Sequence, residues 1–156
     1  MQKRVFGTVR QEGVAVGPWL DLDGLARVEL TSEDAAHPIE AALLGGDASG
    51  WRAAEPGEQS IRLFFHEPQR LSRIWLRFVE VEASRTQEFT LRWSSDGGRS
   101  YKDIVRQQYT FSPAGATSEV EELRIELVGV SALELTIIPD QGHGEACASL
   151  AEWRVA

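Results

Sequence analysis

What this chain has least of limits it most. One cysteine, Cys147, stands among 156 residues, so no intrachain disulfide can form and a secreted disulfide-stapled scaffold is excluded. No stretch of about 18 apolar residues occurs, and the opening MQKRVFGTVRQEGVAVG lacks the continuous apolar segment of a signal peptide. These two absences set the expectation of a cytoplasmic protein without a membrane partner. Basic residues are in deficit, 16 against 24 acidic for a net charge of −8. Arg73, Arg77 and Arg92 are interleaved with Glu80, Glu82 and Glu88, which reads as a solvated charged face rather than a nucleic-acid groove. Nucleic acid is therefore not an expected partner. Helix is scarce as well. Only HPIEAALL at 37–44 carries start and stop signals, with Pro38 suited to a first turn and Gly45 to the end.

Motifs of catalysis are missing too. There is no Gly-rich phosphate loop, no G-x-S-x-G elbow and no recognisable frame of paired carboxylates. Asp21-Leu22-Asp23-Gly24 begins like an EF-hand loop, but its glycine is misplaced and the twelfth position is Ser32 rather than Glu. In HGEAC, His143, Glu145 and Cys147 stand two apart, a spacing open to a metal or to a Cys-His pair. No second cysteine, orienting group or oxyanion donor accompanies them, so a solvated Gly-rich loop beside a small buried cysteine is the better reading. The expectation is a protein that is not an enzyme.

What is present is alternation. Apolar residues make up 42% and charged residues 26%, the balance of a folded globular chain, and the length suits one domain spanning residues 1–156. Period-two patterns, which place every second side chain on one face of a sheet, occur four times. They are Ile61, Leu63, Phe65; Phe89, Leu91, Trp93; Leu123, Ile125, Leu127; and Leu133, Leu135, Ile137. The run LSRIWLRFVEVE at 71–82 is apolar on both registers, as in a covered strand. Further strands are expected at 26–30, 101–106 and 150–155, joined by turns such as Asp96-Gly97-Gly98 and Pro139-Asp140-Gln141-Gly142. Many short strands with regular turns indicate an all-β sandwich. Its expected core is Ile61, Leu63, Phe65, Ile74, Leu76, Phe89, Leu91, Leu123, Ile125, Leu135 and Ile137. Tyr109 and Phe111 fit either core or a binding rim, and Trp19 is expected to cover the bottom of the sandwich.

Three segments carry a family likeness. PIEAALLGGDASGW at 38–51 looks like a helical turn, an Asp-containing loop and a buried Trp, and the strand SIRLFF at 60–65 follows it. FTLRWSSDGGRSYKDI at 89–104 looks like a mid-domain strand with a Ser-x-Asp-Gly-Gly turn, and ASLAEWRV at 148–155 like a closing strand with an inward Glu. In this order they resemble the F5/8 type C (discoidin-like, galactose-binding-like) superfamily from about residue 26 onward. The resemblance implies a non-enzymatic eight-stranded jelly-roll β-sandwich that binds ligands through loops at one end, with carbohydrate as the leading ligand class. An intracellular protein-interaction domain of the same fold is the alternative.

For site residues, the resemblance implies a structural calcium ion held by Asp47, Ser49 and Glu152, although Gly45 stands where the family has its first loop Asp. Without an ion, Asp47 would organise the turn and Glu152 would pair with an arginine. For the ligand, the matching positions are Arg52 after the buried Trp, Glu33 and Asp34 before the helical turn, and the neighbourhood of Glu80 and Glu82. The aromatic that relatives place near Cys147 is absent, and their basic group has become acidic. The loops bearing Glu33 and Asp34, Arg52, Glu80 to Arg85 with Glu82 between them, and His143 to Glu145 are expected to gather at one end, forming a rim suited to polyhydroxyl or cationic ligands.

Overall fold

The computed structural model describes residues 18–45, 50–142 and 144–156. The alternating segments all become strands: β1 (Ala26–Leu30), β2 (Trp51–Pro56), β3 (Gln59–Val79), β4 (Arg85–Ser94), β5 (Lys102–Phe111), β6 (Ser118–Ile138), β7 (Cys147–Leu150) and β8 (Glu152–Val155). Two one-turn helices interrupt them, α1 (Leu22–Leu25) and α2 (Glu40–Leu43). Every strand pairing is antiparallel, and the architecture is the expected jelly-roll sandwich.

Two strands of 21 residues build both layers. Fully extended, each would reach about 70 Å at ~3.3 Å per residue, too long for one layer of a small domain, so each bends from one layer into the other. The register of β3 on β6 shifts between Phe64 and Arg73. There the burial alternation of β3 lapses into three consecutive exposed residues, His66, Glu67 and Pro68, while β6 carries Gly129 at φ +74. On one side of the bend the order is β1-β3-β6-β4-β5. On the other, residues 74–77 of β3 pair with β8 and residues 118–127 of β6 lie along its opposite edge. β2 and β7 form a separate ladder.

The inner faces meet as the alternation requires. Nine of the eleven expected core residues are buried; Leu123 and Ile125 are only partly so, because the first half of β6 is an edge strand with β3 on one side only. Trp51, Trp153, Phe78 and Phe111 complete the core. β5 runs past residue 106, carrying Tyr109 half-buried against Phe111, whose ring lies edge-on at 5.0 Å. Trp19 lies over the outer face of β3, its ring 4.2 Å from the Arg73 guanidinium, and Leu20 N–H bonds the Val155 carbonyl.

One close approach fixes the chain just ahead of the site. Gly50, at φ +66, packs on the backbone of β7, where an added Cβ would lie 2.4 Å from the Leu150 carbonyl oxygen and 2.8 Å from Ala151 Cα. Both the left-handed backbone and the missing space demand glycine. Gly50→Ala is expected to destabilise by about 2–3 kcal/mol, read as a lower urea midpoint at unchanged slope. A midpoint equal to wild type would show that this backbone contact is not made.

Candidate ligand-binding site

The ladder between β2 and β7 places Arg52 opposite Ser149. Trp51, its neighbour, points the other way into the core, with its indole N–H donated to the Ser32 carbonyl at 3.1 Å. That alternation leaves Arg52 exposed. The segment 31–39 is bound to the same strand: Asp34 N–H donates to the Arg52 carbonyl (2.9 Å) and Arg52 N–H to that of His37 (3.2 Å). Within that segment the two acidic side chains hold backbone. Glu33 accepts the Ile39 N–H at 2.9 Å, ahead of α2, and Asp34 accepts the Ala36 N–H at 3.0 Å. Glu33 and Asp34 are thus brought beside Arg52, as expected, but their placed oxygens serve the turn that presents His37.

Opposite lies the β3–β4 turn. Glu80 organises it, with Oε2 accepting the N–H groups of Glu82 (2.9 Å) and Ala83 (3.2 Å) and Oε1 accepting Arg85 Nε (2.8 Å). Burial alone would raise the Glu80 carboxyl, but the Arg85 hydrogen bond and the two amides outweigh it and hold the group below its ordinary range. Glu82 is thereby left exposed at the tip.

Between these walls is a cleft of about 270 Å3, rimmed by Arg52, His37, Glu82 and Ser149 and floored by Val79 and Leu150. It lies below the roughly 300–1,000 Å3 typical of drug-sized ligands, so it suits a single small ring. Donors and acceptors of several kinds converge over an apolar floor, the arrangement that fixes a polyhydroxyl ligand by hydrogen bonds while its C–H face packs. Trp51 is 1% exposed and offers no stacking face. Arg52 and Glu82 therefore share one cleft. His37, Arg77 and Ser149 also line it, and the sequence reading missed them. His37 was hidden behind the helix-start signal of Pro38, and its Nδ1 is buried without a hydrogen-bond partner. Arg77 and Ser149 carried no signal beyond their alternation.

Arg85 does not belong to the rim. It is 4% exposed and on the inward face of β4, donating to Glu80, to Gln87 Oε1 (3.2 Å) and to the Pro139 carbonyl (2.8 Å). Burial follows from its place in the strand, where Arg85, Gln87, Phe89 and Leu91 alternate inward. His143, Asp47 and Ser49 lie outside the described residues. Glu145 departs from the expected gathering: Ala146 beside it accepts the Gly57 N–H (3.1 Å), at the far end of β2 from Arg52. Among the described residues no three His, Cys, Asp or Glu side chains converge as a metal site.

A larger groove of about 680 Å3 follows residues 118–122 of β6 beside Tyr109. Glu119, Glu121 and Glu122 line it. It presents mainly carboxylates, and its innermost one, Glu119, is pushed up to about 8, first by burial and then by the Glu121 carboxyl beside it. The smaller cleft, with cationic, anionic and hydroxyl groups together, is the better candidate for a ligand site.

No protein-family profile and no curated protein matches this sequence. Solved structures do. A pectin-binding carbohydrate-binding module is similar at TM-score 0.61 and 18% identity, over 84% of this chain and 89% of that one. A family 32 module of Clostridium perfringens, in complex with GalNAc-β-1,3-galactose, is similar at TM-score 0.63 and 16% identity, over 88% and 99%. Another from C. perfringens, in complex with galactose, gives 0.61 and 15%, over 83% and 92%. The fold is that of the galactose-binding-like carbohydrate-binding modules.

Proposed function

We propose that this domain is a non-catalytic carbohydrate-binding module whose ligand is held in the cleft between Arg52, His37, Glu82 and Ser149. The observation that carries this reading is the convergence in one small cleft of an exposed guanidinium, an imidazole, a carboxylate and a hydroxyl over an apolar floor. The neighbours support the ligand class: pectin, galactose and a GalNAc-galactose disaccharide are what those modules bind. Arg52 and Glu82 give the hydroxyls of a sugar ring one charged donor and one charged acceptor from opposite walls, and hydrogen bonds to charged groups are about twice as strong as neutral ones. With no exposed indole in the cleft, orientation depends on these polar groups more than on stacking.

A glycan array that includes terminal galactosides, N-acetylgalactosaminides and uronic-acid oligosaccharides tests it, followed by NMR titration with the best binder. Shifts should begin at His37, Arg52, Glu82 and Ser149. Arg52→Ala should weaken binding about tenfold or more, the ~1.5–3 kcal/mol of a charged hydrogen bond, while unfolding stability stays within about 0.5 kcal/mol, as for an exposed residue. An array without enrichment, alongside a reproducible protein partner that maps to the same cleft, would overturn the carbohydrate reading in favour of an interaction domain.

A further inference from the structure

The closing strand contains a guanidinium that the binding cleft does not use. Along β8, Trp153 and Val155 enter the core and Glu152 and Arg154 take the other face. Arg154 is nevertheless only 11% exposed there. Its Nη1 donates to the Ala42 carbonyl in the last turn of α2, at 2.7 Å, and its Nη2 lies 3.3 Å from Glu152 Oε2. Glu152 Oε1 is taken by Arg77 Nε at 3.1 Å. Gly45, the residue that follows the helical turn, rests against the same guanidinium, since a Cβ on it would come within 2.9 Å of Nη2.

This is the neighbourhood to which the family likeness assigns calcium, and Glu152, the one assigned residue that is described, does not stand free for the ion. Calcium needs six to eight oxygens with negative charge among them. Among the described residues, the Glu152 carboxylate has both oxygens committed to guanidinium groups, and the Ala42 carbonyl is committed to one of the same two. Among the described residues two cationic groups stand against one carboxylate, and both oppose a dication brought to this place. A Cβ at Gly45 would press on Nη2 in its present place, and the backbone there is left-handed at φ +80, so glycine suits the position beside the arginine.

We infer that Arg154 does the work of a structural cation in this chain, its planar fork tying α2 to the closing strand, so that the domain is held without calcium. A guanidinium suits the task because it offers several donors in a rigid plane and keeps its charge when buried. It bridges the Ala42 carbonyl and the Glu152 carboxylate at once, as a metal ion between the same elements would.

The whole chain tests this directly. The wild-type thermal midpoint is expected to move by less than about 1 °C between excess EDTA and millimolar calcium chloride, because a ligand without a site adds no stability. Terbium, which Trp51 or Trp153 would sensitise if bound nearby, should show no saturable luminescence. Arg154→Met keeps the aliphatic stem but removes the fork. Its midpoint should fall by about 5 °C, with hydrogen-exchange protection at residues 42–45 and 51 lost beyond the global change. Arg154→Lys, which keeps the charge but not the fork, should fall between. A saturable calcium-dependent rise of several degrees in the wild type, or saturable terbium luminescence, would overturn the inference even if Arg154→Met failed to fold. So would wild-type protection of residues 42–45 in Arg154→Met or Arg154→Lys.

Discussion

Replacing Arg85 with alanine is expected to destabilise the domain by about 3–5 kcal/mol, the range found when one partner of a buried ion pair is removed. The side chain is 1% exposed and its Glu80 partner 13%, so solvent does little to screen the pair. The loss is not confined to one contact. Arg85 also donates to the Pro139 carbonyl and to Gln87, and its guanidinium lies 4.9 Å from the Phe111 ring. Without it, the Glu80 carboxylate and the Pro139 carbonyl face the interior with a partner removed. Arg85→Lys should recover little, since one ammonium cannot span Glu80, Gln87 and Pro139 together. Urea unfolding checks the stability. Because Glu80 organises the turn that carries Glu82, affinity for the carbohydrate proposed to occupy the cleft should fall in Arg85→Ala as well, even at temperatures where the variant stays folded. A stability loss under about 1 kcal/mol would mean that Arg85 does not anchor this turn.

The contrast between Arg85 and Arg52 shows how far the sequence is legible. Both are arginines near the same cleft, and both were expected at its rim. Alternation separates the faces of each strand, but Arg52 is reached through the family likeness, as the polar residue after a buried Trp, and the β2–β7 ladder turns it outward. For Arg85 alternation pointed inward, in register with Phe89 and Leu91, but a charge in that register looked like the end of a loop. Its burial depends on partners from elsewhere in the chain, Glu80 five residues back and Pro139 fifty-four residues on, and local periodicity holds no trace of those. The same limit explains the long strands. Residues 60–65 and 71–82 read as two strands separated by the polar segment HEPQR, and 123–127 and 133–137 as two more. In the fold each pair is continuous, because the backbone stays extended while its side chains change layer. Local pattern reports which face is buried, not which layer it faces. The elements, and so the fold class, were therefore readable; the ion-pair network that shapes the site was not.

The other large effect is expected with pH, at Glu119. This side chain points inward from the edge half of β6 and is 4% exposed. It accepts a hydrogen bond from the Gln87 amide at 3.4 Å and has the Glu121 carboxyl beside it. The groups that face it from the packed elements are Gln87 on β4, itself bonded to the Arg85 guanidinium, and Tyr109 of β5 across the groove. Burial first, and Glu121 second, push the carboxyl from 4.5 up to about 8. A folded pKa above the unfolded one means that the native state keeps a proton the unfolded chain has released. That contribution is fully present below pH 4.5 and is lost as pH rises toward about 8, at up to ~1.4 kcal/mol per pH unit. Glu80 and Glu134 are held low by their arginines and impose the opposite slope at more acid pH, so wild-type stability alone would blend the two. The difference between wild type and Glu119→Gln isolates one. The glutamine copies the neutral carboxyl and keeps an acceptor for Gln87. At pH 4.5 the variant should match wild type within about 1 kcal/mol, and at pH 8 it should be more stable by about 2–4 kcal/mol. Urea unfolding of both proteins at half-unit steps from pH 4.5 to 8.5 measures that difference. If it stays constant across the window, Glu119 does not carry the proton.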